Sequence, residues 1–288
     1  MQRRLHHLEG IVAVFALFFV LALSVGFAQA QEAKAQKAVF LRSSSAMVQD
    51  ATTGEVVFLK NAEAVVPIAS ITKLMTAMVV LDRGLDLESR IVMSSEDVDS
   101  LKGTRSRLRA GSVLTRAELL LLALMASENR ASHALGRTYP GGLGAFVSAM
   151  NAKAASLGMT DSQFVDPTGL SPQNVSSARD LVKLVQAAHS YPLIREYSTT
   201  EQAVVKVHGR PMAFRNTNGL VRSTQWNIGL SKTGYISEAG RCLVMRVQLA
   251  SKDVIVVLLD SWGRQSRIGD ANRLRKWLET SALAGPRS

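Results

Sequence analysis

Residues 46–59, AMVQDATTGEVVFL, alternate apolar and polar positions on either side of Thr52-Thr53-Gly54. A period of two around such a turn predicts a β-hairpin. At Ser70 the period lengthens. Ile71, Leu74, Met75, Met78 and Val79 recur at helical spacing until Arg83-Gly84, where glycine ends the helix. After an irregular stretch reaching Gly111, Thr115 and Glu118 have the spacing of a capping box. The LLLLALM run behind them predicts a helix that is apolar nearly all round and so deeply buried, stopping at Ala126-Ser127-Glu128-Asn129. Phe146, Met150 and Leu157 share one face of another helix closed by Gly158, and Ser177 with Asp180 caps a further one running to about Ser190.

Past Thr200 the signal turns to strands. AVVKV and PMAF flank His208-Gly209-Arg210, and NIGLSKTGYI, RCLVMRVQL and VIVVLLDSW follow with short turns at 237–240 and 251–253. Asp270 is placed to cap a terminal helix, ANRLRKWLET. Short turns make the late strands antiparallel, and the early hairpin can join their edge. The predicted class is α/β (α+β): an antiparallel sheet flanked by helices, with a helical lobe inserted mid-chain and a cleft at the lobe boundary.

Composition alters this picture mainly at the amino terminus. Basic MQRR, the apolar run IVAVFALFFVLALSVGF and the small-x-small site Ala28-Gln29-Ala30 read as a secretory signal cut after Ala30. The competing reading is a retained anchor, because the apolar run falls only just short of a bilayer span. The chain thus divides into a signal peptide at 1–30, a flexible mature N-terminus at 31–45, one domain at 46–280 and a tail at 281–288. The net charge is +11, and loss of Arg3, Arg4 and Glu9 with the leader leaves about +10. Lys and Arg are scattered, with no basic run interleaved with aromatics, so no nucleic-acid partner is expected; carboxylate-rich wall material or an acidic membrane surface suits the charge better. The single cysteine, Cys242, excludes an intrachain disulfide and reads as a buried, inert thiol. Only His133, His189 and His208 follow the leader, with no paired-ligand spacing, so neither a metal site nor a cofactor is expected.

Ser70 and Lys73 are the first candidates for chemistry. Positions i and i+3 share a helix face, so the amine can reach the hydroxyl and, if desolvated or close to a second cation, serve as its base. Alone the pair means little, since a chain of this composition contains roughly one Ser-x-x-Lys by chance. Two further fragments change the balance. Ser127-Glu128-Asn129 follows the all-apolar helix, where a rigidly anchored turn can face a hydroxyl and an amide into a cleft. Lys232-Thr233-Gly234 lies in an apolar strand, where a lysine is out of place unless it points into a pocket and the glycine admits a substrate backbone. Glu128 is expected to be a solvated loop charge and His133 to pack within its helix.

In this order and on these elements, the three fragments resemble the signatures of the penicillin-recognising serine DD-peptidases and of the related class A β-lactamases. The flanking text IASITKLMTAM, MASENRASHALG, FVDPTGLSPQNVSSARDL and GLSKTGYISEAGRCLVM resembles the low-molecular-mass penicillin-binding proteins that act as D-alanyl-D-alanine carboxypeptidases and endopeptidases, the endopeptidase branch above all. The likeness runs from about Ala46 to Trp277. It implies a penicillin-recognising, transpeptidase-like fold. It further implies Ser70 as acyl-ester nucleophile, Lys73 as general base, Ser127 as proton relay and Asn129 as orienter of the substrate amide. Lys232 and Thr233 would hold a substrate carboxylate, Lys232 would also keep the Lys73 pKa low, and the N–H groups of Ser70 and Tyr235 would form an oxyanion hole beside Gly234. Arg267 is a further carboxylate-binding candidate, with Arg264 its alternative.

The implied function is cleavage of D-alanyl bonds in peptidoglycan peptide stems and cross-links, with β-lactams as covalent inhibitors. The protein is expected to be exported and periplasmic. The short run after Trp277 suggests that no stable membrane anchor remains after signal cleavage, which favours the endopeptidase type. Two alternatives stand beside this: a class A-like β-lactamase, which would need a deacylating glutamate in the region that FVDPTGLSP occupies, and a non-catalytic exported wall-binding protein.

Overall fold

Segments of period two form strands and segments of helical period form helices, in a computed structural model that describes residues 39–249 and 251–283. The expected leader, its cleavage after Ala30 and the last five residues lie outside the described residues. Strand β1 (Ser43–Asp50) turns back where the Asp50 carboxylate accepts the Thr52 and Thr53 N–H groups at 2.9 Å each, and leads into β2 (Val56–Lys60). Strand β3 (Val66–Pro67) runs into a 3-10 turn at Ala69–Ile71 and then helix α1 (Thr72–Asp82). Every side chain of α1 from Thr72 to Val80 is buried, so this helix forms the centre of the molecule.

Strands β4 (Arg90–Val92) and β5 (Val113–Thr115) pair with each other ahead of α2 (Arg116–Met125). The capping box forms as the spacing predicts: Thr115 Oγ1 accepts from Glu118 N at 3.1 Å, and Glu118 Oε2 accepts from Thr115 N at 2.8 Å. Helices α3 (Asn129–Arg137) and α4 (Gly142–Ser156) follow, then β6 (Val175–Ser176), which pairs with β3, and α5 (Ala178–Ala188) and α6 (Pro192–Thr199). Strands β7 (Gln202–Val207) and β8 (Arg210–Arg215) form a separate hairpin. Three long strands, β9 (Asn227–Ile236), β10 (Gly240–Leu249) and β11 (Lys252–Ser261), precede the terminal helix α7 (Ser266–Leu283).

The main sheet has the order β2-β1-β11-β10-β9 and is antiparallel throughout, so the early hairpin joins the late strands by pairing β1 with β11. Alternate residues of its strands divide between two buried faces. Met47, Val244, Ile255 and Val257 join the core that contains α1, α2 and α5, while Val48, Leu243, Met245 and Val256 are buried outside that cluster, in the layer where α7 packs on β1, β10 and β11. Phe58 and Trp277 meet edge to face in that layer, with ring centroids 6.0 Å apart. Burial on both faces explains the near-continuous apolar text of β10 and β11.

The departures from the sequence reading have physical causes. Asp270 does not cap the last helix, which begins at Ser266; it lies a turn inside and is buried. Its carboxylate accepts from Arg42 N at 2.9 Å, Ser43 N at 2.7 Å and Ser43 Oγ at 2.6 Å, and it pairs with Arg273. Residues 41–45 are therefore not a flexible lead-in: Leu41, Ser43 and Ser45 are buried, and the domain begins before Ala46. Helix α6 is not among the expected elements; Pro192 occupies its first turn, where its missing N–H costs nothing. At the other end α7 continues to Leu283, past the expected boundary at 280.

Asp270 joins the start of β1 to α7 across most of the chain. Asp270→Ala strands the Ser43 hydroxyl and two N–H groups, and should cost about 3 kcal/mol of unfolding free energy in urea denaturation. Unfolding indistinguishable from the wild type would show that this anchor contributes nothing.

Candidate active site

Ser70 sits in the 3-10 turn that precedes α1, not on the α-helix where its period placed it. In a 3-10 turn residues i and i+3 eclipse, so Lys73 still folds back onto it, and Lys73 Nζ donates to Ser70 Oγ at 2.8 Å. The same amine donates to Asn129 Oδ1 at 2.8 Å and to the Thr168 carbonyl at 2.6 Å. Both of these are acceptors only. A neutral amine has two N–H bonds and one lone pair; with both N–H groups committed to carbonyl oxygens, the lone pair is left for the Ser70 hydroxyl. Lys73 is fully buried, and burial lowers its pKa from 10.5 to about 7, against the opposing charges of Asp166 and Glu128.

Lys232 is buried too, on β9, and its Nζ donates to Ser127 Oγ at 2.8 Å and to the Thr233 carbonyl at 3.0 Å. Burial first, then the charges of Lys73 and Arg267, push its pKa well below the ordinary value. The expectation that Lys232 keeps the Lys73 pKa low needs correcting: loss of hydration is the main cause at Lys73.

Several elements hold these groups in place. Ser127 has φ 57 and Ala69 has φ 47, left-handed values that a side chain adopts only when its surroundings enforce them. A Cβ on Gly234 would lie 2.9 Å from the Ile68 carbonyl and 3.1 Å from Ser70 N, so only glycine lets β9 come this close to the serine backbone. A Cβ on Gly169 would run into the Ala69 carbonyl and approach Thr72 Oγ1 to 2.8 Å. Strand β9 ends the sheet; α6 covers its edge at Ser231, whose N–H donates to Ser198 Oγ at 3.3 Å, whereas Tyr235 is exposed, and there the edge can take a ligand strand.

The Asn129 amide is oriented from behind. Its Nδ2 donates to Thr104 Oγ1 at 3.0 Å, and that hydroxyl donates to Asp99 Oδ2 at 2.6 Å, which leaves Oδ1 for Lys73. The loop carrying Thr168 is clamped to α1. Asp166 Oδ1 accepts from Thr168 N at 2.6 Å and Gly169 N at 2.8 Å, Thr76 Oγ1 donates to the Pro167 carbonyl at 2.7 Å, and Asn174 Nδ2 donates to Thr72 Oγ1 at 3.1 Å. Asp99, Thr104 and Thr168 were missed from the sequence. A backbone carbonyl carries no residue-type signal, and the stretch around Thr104 has no period.

Thr233 Oγ1 is 2.7 Å from Thr217 Oγ1. Arg267 Nη1 donates to the Gly234 carbonyl at 2.9 Å and the Cys242 carbonyl at 3.3 Å, behind the same stretch of β9. With Thr217, Arg267 lines a cavity of about 470 Å³, whereas Arg264 is exposed on that cavity's rim. A second cavity of about 280 Å³ lies on the Asn129 and Thr168 side and is acidic, with Glu96, Asp97, Asp99 and Asp166 in its wall. Glu128 is not a loop charge in solvent but the N-cap of α3, accepting from Arg130 N at 3.3 Å. His133 does more than pack: its Nδ1 is 2.8 Å from the buried Asp97 carboxylate. Cys242 is buried, with a thiol that burial pushes up to about 11. Among the described residues no cluster of three or more His, Cys, Asp or Glu is placed to hold a metal ion.

The site therefore brings a hydroxyl and its amine, a second hydroxyl and amine, and an open strand edge to one cleft. The family described as D-alanyl-D-alanine carboxypeptidase matches residues 30–263. A D-alanyl-D-alanine endopeptidase of Pseudomonas aeruginosa is 47% identical over 245 residues, covering 84% of this chain and 79% of that one. The endopeptidase of the same description from Escherichia coli is 47% identical over 279 residues, covering 94% and 89%. The crystal structure of the Streptomyces K15 DD-transpeptidase superposes with a TM-score of 0.78 at 27% identity, covering 85% of this chain and 98% of that one.

The buried amine makes stability depend on pH in a definite direction. The folded-state pKa of Lys73, about 7, lies below the 10.5 of the unfolded chain, so between these values the unfolded chain holds the extra proton and the wild type gains stability as pH rises. Lys73→Met lacks that gain. The difference in unfolding free energy should therefore move in favour of the wild type between about pH 6 and pH 9; a difference independent of pH would mean that Lys73 stays protonated throughout.

Proposed function

The chain belongs to the D-alanyl-D-alanine carboxypeptidase family, and from that premise we propose that its Ser70 forms the acyl-enzyme through which this serine peptidase cleaves D-alanyl bonds of peptidoglycan peptides, cross-links included. One observation carries the reading: the buried Lys73 amine has its N–H groups engaged by Asn129 and Thr168 and its third contact on Ser70 Oγ. Neutral Lys73 takes the Ser70 proton as Oγ attacks the carbonyl carbon. The oxyanion is received by the N–H groups of Ser70 and Tyr235. As the C–N bond breaks, the proton passes through Ser127 to the departing nitrogen, with Lys232 holding the Ser127 hydroxyl in place. Water then attacks the ester, and its proton returns by way of Lys73 to Ser70. Lys232, Thr233 and Arg267 bind the carboxylate beside the scissile bond, Arg267 from behind the Gly234 carbonyl, and Asn129 orients the acyl-side amide.

The same site takes β-lactams, whose ring carbonyl replaces the peptide carbonyl. The loop that would need a deacylating carboxylate in a β-lactamase has its Asp166 turned onto its own N–H groups and its Thr168 carbonyl on Lys73. That loop therefore adds no carboxylate base to Lys73 for the water that attacks the penicilloyl ester, and this ester turns over slowly. The endopeptidase relatives favour cross-links as substrates. On this reading, export by a signal cut after Ala30 delivers the protein to the wall peptides of the periplasm. No helix among the described residues is long and apolar enough to cross a membrane.

Labelled penicillin should leave a covalent adduct on the wild type that survives denaturation and is absent from Ser70→Ala; an adduct of equal yield in that variant sinks the assignment, and rapid penicillin turnover reverses it in favour of a β-lactamase. The acylation rate should rise with pH through about 7, as Lys73 gives up its proton and becomes competent as a base. Purified mature protein should convert cross-linked muropeptide dimers to monomers; release of terminal D-alanine with dimers left intact would make it a carboxypeptidase.

A further inference from the structure

Beyond Thr233 and Arg267 a basic groove continues, and the proposed mechanism has no use for its outer arginines, Arg241 and Arg264. Its near part is the cavity of about 470 Å³ lined by Thr217, Arg241, Arg264 and Arg267. Its far part, about 350 Å³, shares Arg241 and Arg264 and extends to Tyr235 and Trp262. The two parts are joined to the reacting centre by two contacts already described, Thr217 on the Thr233 hydroxyl at 2.7 Å and Arg267 on the Gly234 carbonyl at 2.9 Å.

The chemistry of the groove is one-sided. Arg241 lies across from Tyr235 in the β9–β10 ladder, its guanidinium 4.5 Å from the centroid of that ring. Tyr235 is 56% exposed and Trp262 79% exposed, so two aromatic faces are open to a ligand. Asp260 is the acidic residue in the wall, yet among the described residues none of Arg241, Arg264 and Arg267 has a carboxylate within ion-pair distance. Three guanidinium groups held together without a carboxylate partner repel one another, and a carboxylate ligand relieves that repulsion by accepting paired N–H bonds from a planar fork. The cavity on the opposite side of the cleft is acidic, so the two sides differ in sign.

Resting on the reading of the site as a D-alanyl peptidase, we propose that the groove of Arg241, Arg264, Tyr235 and Trp262 is the leaving-side subsite, which binds an acidic peptide attached to the amine that departs. Arg267 and Thr233 hold the carboxylate next to the scissile bond, and Arg241 and Arg264 hold further carboxylates one residue or more beyond it. The rings of Tyr235 and Trp262 support the carbon skeleton between them. A substrate whose leaving group is a single D-alanine ends before this groove and gains nothing from it, whereas a cross-linked partner stem fills it. The groove thus confers a preference for the cross-link over the terminal residue through binding, not through the chemical step.

The test compares the wild type with Arg241→Gln/Arg264→Gln on three reactants: a cross-linked muropeptide dimer, the same dimer with the carboxylates of its leaving stem amidated, and labelled penicillin. The double variant should raise KM for the dimer about tenfold with kcat unchanged, the loss of two partly solvated charge-assisted contacts. Its rate of acylation by penicillin, which has no leaving stem, should equal that of the wild type, which also reports an intact fold. The amidated dimer should show the raised KM with the wild type and no further rise with the variant, and Arg241→Lys/Arg264→Lys should recover most of the lost affinity. Unchanged KM for the dimer, an equal loss on the amidated dimer, or a matching fall in penicillin acylation would each overturn the subsite. A wild type that acylates with penicillin but leaves every dimer intact instead removes the endopeptidase reading and the subsite with it.

Discussion

The molecule is organised around one buried amine. Lys73 is desolvated at the centre of the fold, with an ordinary ammonium made unfavourable by burial and a neutral amine supported by two carbonyl acceptors. A lysine cannot be held there by one neighbour. Helix α1 has to be buried on all sides, and the turn before α3 and the loop before β6 have to deliver an oxygen to within hydrogen-bond distance. Much of the helical half of the molecule serves that arrangement.

The loop around Asp166 shows how the surrounding structure meets this demand. Its carboxylate is committed to its own backbone, and Thr76, Ser132 and Asn174 tie the loop to α1 and α3 by hydrogen bonds to the Pro167 carbonyl and the Thr72 hydroxyl. Such a loop is rigid enough to aim a single carbonyl at Lys73. Being fully used in this way, it has no carboxylate to spare for activating water. Fast hydrolysis of a stable acyl-enzyme and tight support of the base are competing uses of the same few residues. The strained φ of Ala69 belongs to the same design, since β9 at Gly234 and this loop at Gly169 pack directly against its turn.

The two lysines also divide the cleft by function. Lys73 faces the acceptors of the helical side, and Lys232 reaches Ser127 from the sheet. Because β9 is the edge strand and Gly234 brings it against the Ser70 backbone, a substrate strand can lie along β9 with its carbonyl over the serine. The basic groove and the acidic cavity lie on opposite sides of this strand's contact with the serine.

The sequence by itself determined most of the elements and singled out the candidate groups. Ser70, Lys73, Ser127, Asn129 and Lys232 lie in short fragments whose residue types are unusual for their surroundings, and period and capping are local properties, so the Thr115–Glu118 box, the buried α2 and the three late strands were legible. Tertiary structure decided what depends on distant partners. The Thr168 carbonyl has no side-chain signature; Asp270 reads as a cap until Arg42 and Ser43 arrive from the other end of the chain; Asn129 is oriented by Thr104 and Asp99 from a stretch without period. The cause of the lowered Lys73 pKa lies here as well. A neighbouring cation can be guessed from a motif, but burial is a sum over every segment packed around the amine, and it exists only once the chain has folded.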